Sequence, residues 1–291
     1  MSVPGVVQND PSLNVRRIGN AAGAEVVDVD LSQPIDEKMR AVIYDAFLAH
    51  HLLVFREQTL SEEAQVAFTL NFGELEGHVI RLQDGEKAPL LHTVSNLDAQ
   101  GQPTSKPYSV GNYFWHTDKS YHAVPSLSTL LYAVTLPPSG GDTLFANTKL
   151  GFDALDDAEK DRYAGLKVVH SWEASRKNTG NKPATEDEKR ERPPVTHPLI
   201  RTHPDTGEKL LYMGSHCSHV EGMDYEEGRA LLADLLERST QEQFVYRHQW
   251  KPGDLVMWDN RCLLHRADSN YEMDRYPRIL HRTVLRGTRP F

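Results

Sequence analysis

The sequence contains only two cysteines, Cys217 and Cys262, among 291 residues. Two cysteines are too few for a disulfide framework, so a disulfide-stabilised secreted scaffold is excluded and a cytoplasmic location is expected. No apolar run approaches the roughly 18 residues that a membrane-spanning helix needs, so no membrane association is expected. The amino terminus also lacks a basic patch followed by an apolar stretch, and no secretory signal is predicted.

Basic residues are fewer than acidic ones, 32 against 41, so the formal net charge is −9. This balance argues against nucleic acid as a partner. It does not exclude small anionic molecules as ligands, because a local cluster of arginines decides whether these bind. The hydrophobic content of 39% and charged content of 25% are typical of a soluble globular protein.

Turn-forming and apolar residues divide the chain into short strands with helices between them. Residues 1–14 are predicted to be a disordered tail, and residues 15–291 a single domain. The apolar spacing predicts helices over Glu37–His50, after Ser61 and over Asp224–Ser239. The predicted strands are Leu52–Phe55, Leu90–Ser95, Leu127–Thr135, Leu210–Met213, Phe244–His248 and several between Asp254 and Leu285. The fold class is therefore mainly β with flanking helices, as a sandwich or barrel enclosing the site.

Two segments are polar and weakly patterned. Residues 77–111 are expected to form a lid or substrate loop, since long loops in compact enzymes often have that role. Residues 177–194 are the most charged stretch and are expected to be an exposed, mobile insertion.

A candidate metal site begins at Trp115-His116-Thr117-Asp118. Residues two apart on a strand lie on the same face, so His116 and Asp118 can point at one ion. His265, far downstream, can complete a set of two histidines and one carboxylate. Such a set leaves three coordination positions open and suits non-haem Fe(II) enzymes that activate O2.

Each part of that set has an ordinary explanation when it is taken alone. The chain has 14 histidines, so a His-x-Asp match can arise by accident, and an isolated histidine such as His265 is usually a core residue. Five other histidines have no carboxylate at a useful spacing and are expected to be surface or core residues. They are His50, His51, His92, His197 and His203.

Two arginines follow His265 on a predicted strand. Arg278 and Arg282 share one face of it with Leu280, while the intervening residues face the other way. Guanidinium groups bind carboxylates through two parallel hydrogen bonds. The pair therefore predicts an anionic cosubstrate or substrate beside the metal.

Taken together, four ordered motifs resemble the Fe(II)/2-oxoglutarate dioxygenases of the taurine dioxygenase family. They are Trp115–Asp118, Gly140–Thr143, Trp258–His265 and Arg278–Arg282. The resemblance runs from about Val15 to the end of the chain. Within the family, Ser218–Met223 and Glu242–Trp250 are most similar to the phenoxyacetate (2,4-dichlorophenoxyacetate) dioxygenases.

The resemblance implies a double-stranded β-helix, which is a cupin-like jelly roll, and a set of residue roles. His116, Asp118 and His265 would bind Fe(II), while Thr143 and Arg278 would hold the distal carboxylate of the cosubstrate 2-oxoglutarate. The implied substrate-binding residues are His78, Arg81, Asn112 and Arg282. With O2, the enzyme would hydroxylate a small organic acid, with release of succinate and CO2. A homo-oligomer is also expected.

The substrate stays open at this point. An aryloxyalkanoate that is cleaved at its ether is the first expectation, in a reaction that would contribute to herbicide degradation. His78 resembles taurine dioxygenase, however, so a sulfonate such as taurine or another small carboxylate is the alternative. A zinc hydrolase could use the same three ligands. It would leave the paired arginines without a purpose, and a metal-free binding protein would have no reason to keep all three ligands.

Overall fold

Strands outnumber helices along the chain, and the helices lie between groups of strands. In the computed structural model, residues 13–76, 90–106 and 110–291 are described. Their strands are β1 Asn14–Arg17, β2 Ala24–Val27, β3 Leu52–Phe55, β4 His92–Ser95, β5 Ser126–Thr135, β6 Thr143–Asn147, β7 Lys167–His170, β8 Val195–Pro198, β9 Ile200–Thr202, β10 Lys209–Leu211, β11 Cys217–Val220, β12 Val245–His248, β13 Leu255–Asp259, β14 Leu263–Ala267 and β15 Ile279–Arg286. Their α-helices are α1 Glu37–His50, α2 Glu62–Leu70, α3 Thr148–Asp153, α4 Asp157–Tyr163, α5 Trp172–Asn178, α6 Glu186–Glu191 and α7 Tyr225–Ser239. Short 3-10 helices cover Val110–Tyr113 (η1) and Glu242–Phe244 (η2), and the expectation of a mainly β fold with helices is confirmed.

A seven-stranded sheet is the largest layer and joins strands from both ends of the chain. Its order is β1-β2-β3-β13-β5-β15-β4, in which only the β2–β3 pair is parallel. A three-stranded sheet, β12-β6-β14, contains two strands that carry candidate residues. Thr143 begins β6, and His265 lies on β14. The remaining described strands form the β11-β7-β8 sheet and the β9-β10 pair.

The central strand β13 is buried on both faces, which explains its unbroken apolar sequence. Leu255 and Met257 pack into one core with helices α1 and α2, whereas Val256 and Trp258 pack into a second core. This second core also holds Phe145 of β6, so it lies between the seven-stranded sheet and the β12-β6-β14 sheet. The alternation follows from the period of two in a strand. A third core forms around α7, β10 and β11.

The helices begin where the sequence places capping residues. The Asp36 side chain accepts a hydrogen bond from the Met39 backbone N–H, and Ser61 does the same for Ala64. These bonds satisfy amide groups that have no partner within the helix. Helix α1 ends where His51 adopts a left-handed conformation with φ 61°. The predicted bounds of α1 and of β3 are confirmed.

Two expectations about the chain's outline need revision. Leu13 is buried and Asn14 begins β1, so these two residues are part of the fold and not of a tail. The segment 177–194 is mostly exposed, as predicted, but it contains the capped helix α6. Among the described residues, no helix combines the length and apolar character needed to cross a membrane.

Candidate active site

His116 and His265 lie side by side because their backbones are paired. The His116 N–H donates to the His265 carbonyl at 3.1 Å, and the His265 N–H donates to the His116 carbonyl at 2.8 Å. Their ring centroids are 4.2 Å apart. His265 lies on β14, as predicted. The predicted strand at His116–Asp118 is wrong, because this pairing is an isolated bridge and the chain turns at Asp118.

The turn brings the Asp118 carboxylate to both imidazole rings. Its Oδ1 atom lies 3.8 Å from Nε2 of His116 and 3.9 Å from Nε2 of His265. All three side chains are buried, and their donor atoms lie within 4.8 Å of one another. One nitrogen from each histidine and one carboxylate oxygen therefore face a common point, which is the donor set of a transition-metal site.

The protonation of these groups suits metal binding. Burial alone would raise the pKa of Asp118, but His265, Arg282 and His116 outweigh it and hold the pKa well below its ordinary range. Burial lowers the pKa of His265 well below 6.5, so its ring is neutral. Nδ1 of His116 lies 2.8 Å from the Phe114 carbonyl, which can only accept, so Nδ1 carries a proton and Nε2 is the nitrogen that faces Asp118.

Arg278 is a buried cation beside this set. Its Nε donates to the Gly141 carbonyl at 2.8 Å, and its Nη2 donates to the Thr143 hydroxyl at 3.3 Å. The Thr143 hydroxyl also accepts from Trp250 Nε1 at 3.0 Å. In the described part of the chain, no acidic side chain forms an ion pair with Arg278. A buried charge without a counter-ion is costly, so this group is suited to an anionic ligand.

The two glycines before Thr143 have a geometric role. Both have positive φ, 75° for Gly140 and 71° for Gly141. A Cβ on Gly141 would lie 3.0 Å from Cδ of Arg278, and a Cβ on Gly140 would lie 2.3 Å from the Asn270 carbonyl oxygen. Only glycine therefore allows the turn that presents the Gly141 carbonyl to Arg278.

Arg282 lies on β15 and Arg278 directly precedes that strand, and the two line the same cavity, which agrees with the predicted common face. Nη1 of Arg282 lies 3.9 Å from Oδ1 of Asp118, and its buried Nε has no hydrogen-bond partner among the described residues. On the opposite face, Thr283 bonds to helix α2 through Thr69. Arg282 therefore presents positive charge to the candidate site.

One cavity connects these groups. Its lining is Val94, Asn112, His116, Asp118, Leu131, Thr143, Trp258, His265, Ala267, Arg278 and Arg282. Seven of the sequence-derived candidates are thus brought to one cavity. The other two, His78 and Arg81, lie outside the described residues. The cavity combines polar groups on one side with apolar walls, which is common in small-molecule sites.

A second cluster, His203, Asp259 and Cys262, also places donor atoms within 4.8 Å of one another. His203 is a buried core residue, as expected, and its Nε2 lies 3.0 Å from Oδ2 of Asp259, which is 56 positions away in the sequence. Arg261 donates to both oxygens of Asp259, at 2.8 Å and 2.7 Å. The carboxylate is therefore fully used, and this cluster is a structural ion-pair network.

Replacing Asp259 with Asn is expected to lower the free energy of unfolding by about 3–5 kcal/mol, because buried Arg261 loses its buried counter-charge and keeps only the exposed Asp205. Burial alone would raise the pKa of Asp259, but Arg261 and His203 hold it well below 3.8 in the folded chain. Its stabilisation is therefore complete above pH 3.8 and decreases as the pH falls further. Urea unfolding at pH 7 and pH 3 should show a smaller difference at pH 3. An equal difference at both values, or an equal loss in the exposed control Asp161→Asn, would contradict this.

Four residues that complete the site were not selected from the sequence. Thr129 hydrogen-bonds to Asp118, and Asn260 hydrogen-bonds to Thr129. Trp250 supports Thr143, and the ring of His216 lies 5.7 Å from that of His116. Asn260 and Trp250 lie within motifs that resemble the family, and this position could have identified them as site residues. No motif or spacing in the sequence identified Thr129 or His216.

Comparison with known proteins supports one family. The model of the taurine catabolism dioxygenase TauD, TfdA family matches residues 14–284. The α-ketoglutarate-dependent 2,4-dichlorophenoxyacetate dioxygenase of Cupriavidus pinatubonensis is 42% identical over 255 residues, which cover 85% of this chain and 88% of that protein. The (S)-phenoxypropionate/α-ketoglutarate dioxygenase of Sphingobium herbicidovorans is 32% identical, with 88% and 90% covered.

A solved structure is similar over nearly the whole chain. The crystal structure of AAD-2 in complex with Mn(II) and N-oxalylglycine superposes with a TM-score of 0.86 at 37% identity, covering 96% of this chain and 98% of that one. The family match and these identities agree with the arrangement of histidines, carboxylate and arginines around the cavity. This chain belongs to the taurine catabolism dioxygenase TauD, TfdA family.

Proposed function

We propose that this dioxygenase uses Fe(II), 2-oxoglutarate and O2 to hydroxylate a small organic acid, with an aryloxyalkanoate as the substrate class. The observation that carries the proposal is one cavity lined by two histidines, one carboxylate and two arginines. His116, Asp118 and His265 would hold the iron. When bound, iron supplies the O2 chemistry that couples decarboxylation of 2-oxoglutarate, to succinate and CO2, with hydroxylation of the substrate.

The donor atoms fit such an ion. The carboxylate is ionised and His265 is neutral, which are the protonation states that metal ligands require. His116 is fixed by a backbone carbonyl on its other nitrogen, which is a common arrangement for metal-binding histidines. Three protein ligands leave positions for a chelating acid and for O2.

The distal carboxylate of 2-oxoglutarate would bind Arg278 and Thr143. Arg278 is buried, is oriented by the Gly141 carbonyl and has no counter-ion among the described residues. A carboxylate there would satisfy the guanidinium through charge-assisted hydrogen bonds. Because Arg278 and the three metal-site residues line the same cavity, the keto-acid end can extend towards the metal. AAD-2, with Mn(II) and the acid N-oxalylglycine bound, supports this assignment by similarity.

Arg282 and Asn112 would bind the carboxylate of the substrate, together with His78 and Arg81. Arg282 adds a second guanidinium, whose Nε has no hydrogen-bond partner in the part of the chain that the structure describes. Apolar side chains of Val94, Leu131 and Ala267 line the same cavity and suit an aryl group. Hydroxylation of the carbon next to the ether oxygen would give a hemiacetal-like product, which breaks down to a phenol and an oxo acid.

A sulfonate such as taurine, or another small carboxylate, is the alternative substrate. The observation in its favour is that Arg282 can bind any compact anionic group. A zinc hydrolase is a weaker alternative, because it would not use the buried cation at Arg278. A metal-free binding protein is also weaker, because it would not need three converging metal ligands. A panel of aryloxyalkanoates, sulfonates and amino-acid-like acids should separate these, scored by substrate-dependent succinate release. The proposal expects phenoxyacetates to give the highest coupled turnover, and a preference for sulfonates would replace the substrate class.

The substrate anchor also makes a direct prediction. Phenoxyacetate should support coupled turnover, whereas its methyl ester and amide should not, because they lack the charge that the arginines recognise. The measurement compares 2-oxoglutarate consumed with phenol released for each compound. Equal coupled turnover of the acid and its neutral derivatives would show that no carboxylate anchor exists.

Further properties of the protein are part of the same proposal. The fold would be a double-stranded β-helix, supported by the second core between the seven-stranded and β12-β6-β14 sheets. One domain would begin at Leu13, two residues before the predicted start at residue 15, and extend to residue 291, since β1–β3 and β13 share a sheet. The two free, buried cysteines favour a cytoplasmic location. A homo-oligomer is also proposed. The molar mass from light scattering after size-exclusion chromatography would test it.

A further inference from the structure

We propose that Thr129 and Asn260 form a hydrogen-bond relay that commits one oxygen of Asp118 and leaves only the other as a metal ligand. This inference rests on the proposed metal site and concerns how the chain keeps coordination positions open. Neither residue touches the reacting groups, so both are positioning residues.

The hydroxyl of Thr129 has a single possible direction of donation. Asn260 Nδ2 donates to Thr129 Oγ1 at 2.9 Å, so that hydroxyl receives one proton and has one to give. It is also hydrogen-bonded to Oδ2 of Asp118, and its one remaining proton is the donor of that bond. The Thr129 proton therefore points at Asp118. Thr129 is fully buried and Asn260 is 1% exposed, which excludes bulk solvent from competing for this bond.

The orientation of the Asn260 amide is fixed independently. Trp258 Nε1, which can only donate, lies 3.0 Å from Asn260 Oδ1. The amide oxygen therefore faces Trp258 and the amide nitrogen faces Thr129. The Asn260 backbone carbonyl also accepts from the Thr117 hydroxyl at 2.6 Å. Asn260 therefore bonds directly to the side chain of Thr117 and reaches the Asp118 carboxylate through Thr129.

The relay divides the two oxygens of Asp118 between different tasks. Oδ2 is bonded to Thr129, while Oδ1 lies within 3.9 Å of Nε2 of both His116 and His265. Rotation of the carboxylate to present both oxygens to a metal would break the Thr129 bond inside the core, where an unsatisfied group is costly. The relay therefore favours one ligand atom per residue. Three positions then remain for a chelating keto acid and O2.

A substitution series at Thr129 tests this. Thr129→Val keeps the shape of the side chain but removes the hydroxyl, whereas Thr129→Ser keeps the hydroxyl. The matched control is Thr69→Val, which removes a fully buried hydroxyl that bonds to Gln65 and Thr283 on helix α2 and β15. Titration calorimetry would measure binding of Mn(II) alone and then of 2-oxoglutarate to the Mn(II)-loaded protein.

Thr129→Val is expected to weaken one or both affinities by about 10–100-fold, as loss of a hydrogen bond to a metal ligand does elsewhere. Thr129→Ser should stay within a few-fold of the parent, and Thr69→Val should bind as the parent does. If Thr129→Val does not fold, Thr129→Ala is compared with Thr129→Ser, since these two lack the same methyl group and differ in the hydroxyl.

The outcomes separate the relay from the metal site on which it rests. No Mn(II) binding by the parent protein would overturn the proposed metal site itself. Tight binding by the parent and equally tight binding of both ligands by Thr129→Val would overturn the relay alone. Equal weakening in Thr129→Val and Thr129→Ser would also overturn it, because shape rather than the hydroxyl would then be responsible.

Discussion

Replacing His265 with Ala is expected to abolish substrate-dependent succinate release, and His116→Ala and Asp118→Ala should do the same. Each change removes one of the three proposed metal ligands from a site whose donor atoms converge within 4.8 Å. Succinate release at saturating Fe(II) is the measurement. His50→Ala is a suitable control, because His50 ends helix α1 and does not line the cavity.

Substantial turnover in His265→Ala at saturating Fe(II) would contradict the ligand assignment. An equal loss in His50→Ala would also do so, because it would point to general damage to the fold. Circular dichroism of each variant separates loss of metal from loss of structure.

Arg278→Ala should raise the KM for 2-oxoglutarate by roughly two to three orders of magnitude while changing the KM for the substrate much less. A buried charge pair that loses one partner costs about 3–5 kcal/mol, and each 1.4 kcal/mol corresponds to a factor of ten. Arg278 is 7% exposed, so water replaces the lost interaction poorly. Steady-state kinetics with each reactant varied in turn would measure both constants.

Arg282→Ala is the matched comparison, since it removes a second guanidinium from the same cavity. It should weaken the substrate and spare 2-oxoglutarate. The reverse pattern, with 2-oxoglutarate dependence unchanged in Arg278→Ala and lost in Arg282→Ala, would exchange the two roles.

Local patterns in the sequence predicted the elements whose causes are local. Helix α1 follows from its apolar spacing and the cap at Asp36, and β13 follows from a continuous apolar run between two turns. The alternation predicted a common face for Arg278 and Arg282, and both line one cavity. These features depend on periodicity, which is visible in one chain.

Contacts between distant residues were not predictable in the same way. Asn260 and Thr129 are 131 positions apart, and His203 and Asp259 are 56 apart. No local pattern reports such pairs. The expected strand at His116–Asp118 was wrong because a single backbone bridge to His265, followed by a turn, gives the same convergence of side chains.

The similarity to characterised enzymes explains why the chemistry is better determined than the substrate. The metal-site residues and Arg278 are buried and line one cavity, so their relative positions are defined. Of the four residues proposed to bind the substrate, Asn112 and Arg282 line the cavity, while His78 and Arg81 lie outside the described residues. Variants at Arg81 and Arg282 therefore report most directly on substrate choice.

Anaerobic addition of Fe(II) and 2-oxoglutarate to the purified protein tests the central claim most directly. A site with three protein ligands and an anchoring Arg278 should bind the keto acid as a chelate on iron. This would produce a weak visible charge-transfer band that requires both reagents and is absent in His265→Ala. No band with the parent protein, together with hydrolysis supported by Zn²⁺ and independent of 2-oxoglutarate, would contradict the account.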